Sequence, residues 1–165
     1  MASASSRAPY DTPPVNPGPV SVTLDMRAAR QMLALFNRTQ FDANEAQAIE
    51  LLPAVQAAIR ESGRGKDVFD HDLAAAFDEH ARITVFDFRR IRDERSKWED
   101  LLSQISSREA ELTKRISDRA RSLLPATPAV PATLPVALTF GLPGRTDELI
   151  VPPTEGGERT LVIDV

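Results

Sequence analysis

The chain contains no cysteine, so it can form neither a disulfide nor a cysteine-ligated zinc or iron–sulfur site. It also lacks any run of about 18 apolar residues, the minimum expected of a membrane-spanning helix. Twenty basic residues stand against 24 acidic ones, which gives a net charge of -4. A protein that neutralises phosphates is normally basic, so this charge does not predict a nucleic-acid partner. The missing apolar run likewise means that no membrane span is predicted.

Proline is almost absent from the middle of the chain. Of the 13 prolines, only Pro53 lies between Val20 and Leu124. Proline removes a backbone donor and clashes with the preceding helical turn, so the middle can be helical and the flanks cannot. The sequence therefore predicts a flexible Pro-rich leader at 1–19, a helical domain at 20–124, and at 125–165 a Pro-rich connector with short β strands that form an incomplete β segment.

The residues at the two ends of the sequence lead to expectations about the compartment and about a further element. Residues 1–10 lack the apolar run of a signal peptide, which leaves the compartment open between the cytoplasm and export with a removed signal. The last residues, Thr160–Val165, are apolar and strand-like. Because domains usually end in polar, loosely packed residues, we expect a further element to follow Val165.

Apolar residues recur at three- and four-residue spacing through the middle of the chain, which predicts amphipathic helices. After a short alternating strand at 20–24, Asp25 is suited to cap a helix that starts at Met26. Asp42 and Glu45 have the spacing of a capping box at the start of the next helix. Pro53 predicts either a kink or the first turn of a new helix, and Gly63 and Gly65 are expected to end this segment. A further helix is expected at about 67–81.

The strongest periodic pattern lies between Phe88 and Leu123, where steps of three and four residues give a narrow, mostly apolar seam. The seam indicates either one long helix or two helices that pack on the same partner. The capping-box spacing of Ser106 and Glu109 favours two helices, at about 84–105 and 107–123. Its central residues are candidates for binding a protein partner or a second copy of the chain: Trp98, Leu102, Ile105 and Leu112.

The tail has three strand candidates, at 136–140, 148–151 and 160–165, and the last two are expected to form a hairpin. Together the patterns predict a mainly α fold. We expect a multi-helix bundle with a short N-terminal strand and a small C-terminal β segment, which is α+β overall.

No catalytic constellation can be assembled from the sequence. His71 and His80 lie about 180° apart on a helix, so they cannot bind one metal ion together, and the acidic residues around them are typical of a solvated face. The same interpretation applies to Arg89, Arg90 and Arg92. No nucleophile elbow or phosphate-binding loop is present. We therefore assign no catalytic, cofactor-binding or metal-binding residue.

The order of elements resembles the front half of bacterial families of zinc-dependent peptidases. The matching features are the strand and helix from Val22, the Leu124-Pro125 junction, the strand with a glycine-containing turn at 136–144, and the strand at 161–165. In these families the resemblance implies a following helix with His-Glu-x-x-His, which supplies two zinc ligands and a general base. That motif is absent here, so zinc is implied only for a part outside this chain.

Two hypotheses follow for the function. The chain is either the non-catalytic front half of a zinc metallopeptidase, inactive by itself, or a non-enzymatic helical interaction module that uses the seam. The first predicts a seam buried against the chain's own helices. The second predicts an exposed seam and binding to a protein partner or self-association.

Overall fold

The computed structural model describes residues 20–123, 132–140, 148–151 and 160–164. Several predicted features lie outside these residues: the leader, the Leu124-Pro125 junction, the glycine-containing turn that follows residue 140, and the turn between the last two strand candidates. The described elements follow in the order β1 (Val20–Asp25), α1 (Arg27–Phe36), α2 (Ala43–Glu50), α3 (Pro53–Ser62), α4 (Lys66–Ala75), α5 (Phe88–Asp93), α6 (Arg95–Ser107), α7 (Glu109–Leu123), β2 (Ala132–Thr139), β3 (Glu148–Val151) and β4 (Thr160–Asp164). The mainly α fold with one N-terminal strand and a small C-terminal β segment is confirmed. Among the described helices, none has the length and apolar character to cross a membrane.

The four strands form one mixed sheet in the order β1-β2-β4-β3. The strands β1, β2 and β4 run parallel, whereas β3 is antiparallel to β4, as the predicted hairpin requires. A parallel pair needs a long crossover connection, and the helices α1 to α7 lie in the crossover between β1 and β2.

The sheet joins two parts that the sequence places on either side of Leu124. In the register of β1 and β2, Val22 lies opposite Leu134, although the two residues are far apart in the chain. Val136 of β2 and Val162 of β4 are fully buried in the same core as the helices. The N-terminal strand and the C-terminal strands therefore share one sheet and one core.

Strand β2 begins earlier than the sequence predicts and includes Pro135. Pro135 lies opposite Thr23 of β1, but pairing with β4 starts only at Val136. At Pro135 the strand thus has a described neighbour on one side only. Proline is tolerated there because its missing N–H can face the side without a partner.

Local signals determine where several helices begin and end. The Asp42 carboxylate caps α2 by accepting from the N–H groups of Asn44 and Glu45, at 2.9 Å and 3.2 Å. Pro53 is the first residue of α3, so of the two alternatives the new helix is right. Gly63 ends α3 with φ 64°, a left-handed conformation that favours glycine.

Two capping contacts form only in part. The carboxylate of Asp25 accepts from the Arg27 N–H at 2.9 Å, but α1 begins at Arg27 and not at Met26. Glu45 does not close the capping box, since its carboxylate pairs with the Arg38 guanidinium instead. The helices form nevertheless, because burial of their apolar faces contributes more than a single cap.

Two helices differ from the predicted lengths. Helix α4 ends at Ala75 rather than near Ala81, and the residues that follow form a loop at 76–87. The helix expected at 84–105 begins only at Phe88 and is divided into α5 and α6 at Glu94. The break between α6 and α7 agrees with the two-helix alternative.

An aromatic cluster forms the centre of the core. Phe69 meets Phe86 and Phe88 edge-on, with ring centroids 5.4 Å and 5.2 Å apart, while Phe86 and Phe88 are stacked at 5.5 Å. Phe36 of α1 adds a fourth buried ring, 6.2 Å from Phe88. The cluster thus joins α1, α4, the 76–87 loop and α5.

Candidate functional site

The four candidate seam residues lie on α6 and α7. Trp98 is half-buried, with its ring centroid 5.5 Å from that of Phe140. Leu102 is only 4% exposed, and Ile105 is half-buried against the same core. Leu112 is half-buried on α7, the helix that packs beside β1. Trp98, Leu102 and Ile105 are therefore brought together by contacts within the chain.

Strand β3 forms one edge of the sheet. Among the described residues its only strand partner is β4, and no described strand lies on its other side. Because β3 is antiparallel, its first residue, Glu148, lies opposite Ile163 near the carboxyl end of β4. The carboxyl ends of parallel strands are where α/β sheets bind ligands. This corner of the sheet is the candidate site for an extended peptide.

A second polar centre surrounds the buried carboxylate of Asp72 on α4. Asp72 accepts from the N–H groups of Thr84, Val85 and Phe86 at 2.8, 2.7 and 2.8 Å. The Thr84 hydroxyl also donates to this carboxylate, at 2.9 Å. The side chain of Asp72 is 0% exposed, so these contacts replace its hydration. Asp72 therefore anchors the end of the 76–87 loop to α4.

The pKa of Asp72 reflects two opposing effects. Burial raises the pKa, whereas hydrogen bonds from the backbone N–H groups of Phe86, Val85 and Thr84, and from His71, lower it. The hydrogen bonds dominate, so the pKa of Asp72 lies below its usual value. The carboxylate is ionised at neutral pH and can accept all of these contacts at once.

Two arginines hold the beginning of the same loop. Arg89 Nη2 donates to the carbonyl groups of Ala75, Asp78 and Ala81, at 2.9, 2.7 and 2.6 Å. Arg92 Nη1 donates to the Ala76 carbonyl, and its guanidinium lies 4.5 Å from the Phe77 ring centroid. The carbonyl groups of Ala75 and Ala76 at the end of α4 therefore each accept a hydrogen bond from an arginine of α5. These contacts tie α5 to the end of α4 and to the loop.

The solvated-face interpretation is wrong for Asp72 and incomplete for Arg89 and Arg92. The burial of Asp72 could have been predicted from the sequence. It lies three residues after Phe69 and four before Ala76, which places it on the apolar face of its helix. No comparable pattern in the neighbouring sequence predicts the contacts of Arg89 and Arg92. Their acceptors are carbonyl groups 8 to 16 residues earlier in the chain.

The zinc that the resemblance implies does not fit the described residues. Within them, no group of three or more His, Cys, Asp or Glu residues is arranged to hold a metal ion. His71 Nδ1 lies 3.0 Å from an Asp72 oxygen, and that carboxylate already serves the loop. His80 is exposed in the loop itself. We therefore assign no zinc ligand to this part of the chain.

Comparison of the chain with protein-family models, with curated proteins and with solved structures gives no significant match in any of the three.

Proposed function

We propose that this chain is the non-catalytic front part of a zinc-dependent peptidase of the His-Glu-x-x-His type, without hydrolytic activity of its own. The observation that carries the proposal is the mixed sheet, in which β3 is an antiparallel edge strand among the described residues. An exposed edge strand can bind a peptide in extended conformation through main-chain hydrogen bonds. Substrate support is therefore the part of peptide hydrolysis that this sheet can supply.

The position of the seam supports this proposal over the interaction module. Phe88 and Leu102 are 0% and 4% exposed, Trp98 packs on Phe140 directly after β2, and Leu112 on α7 is half-buried. The seam is thus buried in part against the chain's own core, which agrees better with the metallopeptidase interpretation. A partner-binding module would require these side chains on a free surface.

The order of elements supports it as well. Strand β4 lies between two neighbours in the sheet and runs parallel to β2. A chain that leaves a parallel strand at this position commonly continues as a helix on one face of the sheet. In the resembling families that helix carries the zinc-binding motif.

The reading frame provides the most direct test. When the gene is sequenced beyond the codon for Val165, we expect the frame to continue into a helix with His-Glu-x-x-His. The longer protein should contain one zinc ion per chain and hydrolyse peptides, and replacing the motif glutamate by glutamine should abolish hydrolysis while zinc stays bound. A stop codon directly after Val165, or a continuation without the motif, would rule out the proposal.

The proposed peptide binding by β3 can be tested on the chain as it stands. A capped hexapeptide of alternating threonine and valine should bind along β3 and shift the backbone NMR signals of Glu148–Val151. N-methylation of the three alternate amides that face β3 should weaken binding at least about tenfold, because each methyl group removes a main-chain donor.

The matched control is the same peptide N-methylated at the other three amides, which face away from β3. Its composition is identical, so any difference between the two peptides reports main-chain pairing and not hydrophobicity. Equal affinities for the two, or no binding by the unmodified peptide, would show that β3 is not a peptide-binding edge.

A further inference from the structure

A groove of about 420 Å³ lies between α1 and α6. At one end Arg30 Nη2 donates to Ser106 Oγ at 3.0 Å, and at the other Asn37 Nδ2 donates to Glu99 Oε1 at 2.6 Å. These contacts show that the two helices run antiparallel along the groove. They also join its two walls at both ends, so the groove is preformed.

The middle of the groove is open and apolar at its base. Two small residues, Ala34 from α1 and Ser103 from α6, line the groove between its two ends. Leu33 and Leu102 also line it, and both are 4% exposed. Because the side chains that line the middle of the groove are small and its base is apolar, a ligand side chain of moderate size can fit there.

Two residues of opposite charge, Arg30 and Glu99, line the two ends of the groove. Arg30 and Glu99 are each hydrogen-bonded to a neutral partner, and in the described part of the chain neither belongs to an ion pair. Arg95 donates to Asn37 Oδ1 at 3.0 Å but does not line the groove. A ligand that brings an anion to Arg30 and a cation to Glu99 would complement both charges.

The distance between the charged ends suggests the length of the ligand. Arg30 and Asn37 are separated by about two helical turns, or about 10 Å along α1, and Glu99 lies beside Asn37. An extended peptide advances about 3.4 Å per residue, so about three residues span this distance. A tripeptide with free termini carries a carboxylate at one end and an ammonium group at the other.

We propose that the α1–α6 groove binds a tripeptide with free termini. Its carboxylate contacts Arg30, its ammonium group contacts Glu99, and its middle side chain packs on Leu33 and Leu102 between Ala34 and Ser103. The site is independent of the proposed peptidase relationship, because it uses neither β3 nor a zinc-binding motif.

Titration of the full chain with Ala-Leu-Ala tests the ligand chemistry. We expect saturable 1:1 binding by calorimetry, with NMR shifts confined to the groove residues. Acetylating the amino terminus or amidating the carboxyl terminus should each weaken binding at least about tenfold, since each removes one charge-assisted contact. The dipeptide and the pentapeptide should bind more weakly than the tripeptide, because neither matches the span of about 10 Å.

Variants of the chain test the site itself. Arg30→Gln and Glu99→Gln should each weaken binding of the free tripeptide at least about tenfold. Arg64→Gln and Asp100→Asn remove exposed charges outside the groove and should leave binding unchanged. Ser103→Phe should abolish binding without lowering the melting temperature, because it fills the groove from an exposed position.

The outcomes separate this proposal from that for β3. Absence of tripeptide binding, equal binding of the blocked peptides, or full affinity in Arg30→Gln and Glu99→Gln would each overturn the groove proposal. None of these results concerns the capped hexapeptide, which lacks both terminal charges and is directed at the sheet edge.

Discussion

Replacing Asp72 by asparagine is expected to lower the free energy of unfolding by about 3 kcal/mol, measured by urea denaturation at pH 7. The carboxylate accepts from three backbone N–H groups and the Thr84 hydroxyl. An amide at this position keeps one acceptor oxygen and turns an NH₂ group toward these donors. The two donors on the NH₂ side are then left without an acceptor in a partly buried site, which is more costly than the loss of an exposed contact.

The matched control is Asp100→Asn, the same chemical change on the exposed surface of α6. It should alter the free energy of unfolding by less than about 0.5 kcal/mol. If Asp72→Asn were no more destabilising than this control, the 76–87 loop would not depend on the carboxylate.

The effect of Asp72→Asn should also depend on pH. The folded state lowers the pKa of Asp72, so the carboxylate contributes stability above its unfolded pKa of about 3.9, and this contribution is lost as the pH falls through the folded value. The difference in stability between the two proteins should therefore be full near neutral pH and shrink below about pH 4. A difference that stays constant down to pH 2 would contradict the role of the ionised form.

Replacing Phe88 by alanine should be the most destabilising single truncation in the aromatic cluster, by about 4 kcal/mol. Phe88 is fully buried, and its ring lies against those of Phe36, Phe69 and Phe86. Removing it loses transfer free energy and leaves a cavity that three large rings cannot fill without moving. Thermal and urea denaturation would measure the loss.

Leu51→Ala is the control for Phe88→Ala. Leu51 is 68% exposed between α2 and α3, so its truncation should change the free energy of unfolding by less than about 0.5 kcal/mol. The more conservative Phe88→Leu should fall between the two, because it retains part of the buried volume. Equal effects for Phe88→Ala and Leu51→Ala would mean that the cluster is not the centre of the core.

Much of the local structure could be predicted from the sequence. Asp42, Pro53 and Gly63 mark helix ends through their own backbone and side-chain chemistry, and the structure uses each of them as predicted. The apolar alternation at 20–24 and the apolar runs of the tail likewise predict the strands. These predictions succeed because they depend on residues within a few positions of one another.

Less of the candidate site than of the local structure could be predicted from the sequence. The periodicity of the seam is real, but it cannot tell whether Trp98 and Leu102 contact a partner or the chain's own core. The structure places them against the core, and Trp98 against Phe140. Both environments favour the same apolar spacing, so only the three-dimensional arrangement distinguishes them.

The sequence by itself determined the cysteine-free chemistry, the absence of a His-Glu-x-x-His motif, and most helix and strand positions, because these follow from composition and from short-range spacing. Only the tertiary structure decided that Asp72 is a buried anchor, that Arg89 satisfies the end of α4, and that β1 pairs with β2. The position of β3 at the edge of the described sheet and the groove between α1 and α6 also result from packing. Each of these features depends on residues that are far apart in the chain. Such residues come into contact only when whole helices and strands pack together and bury their apolar faces.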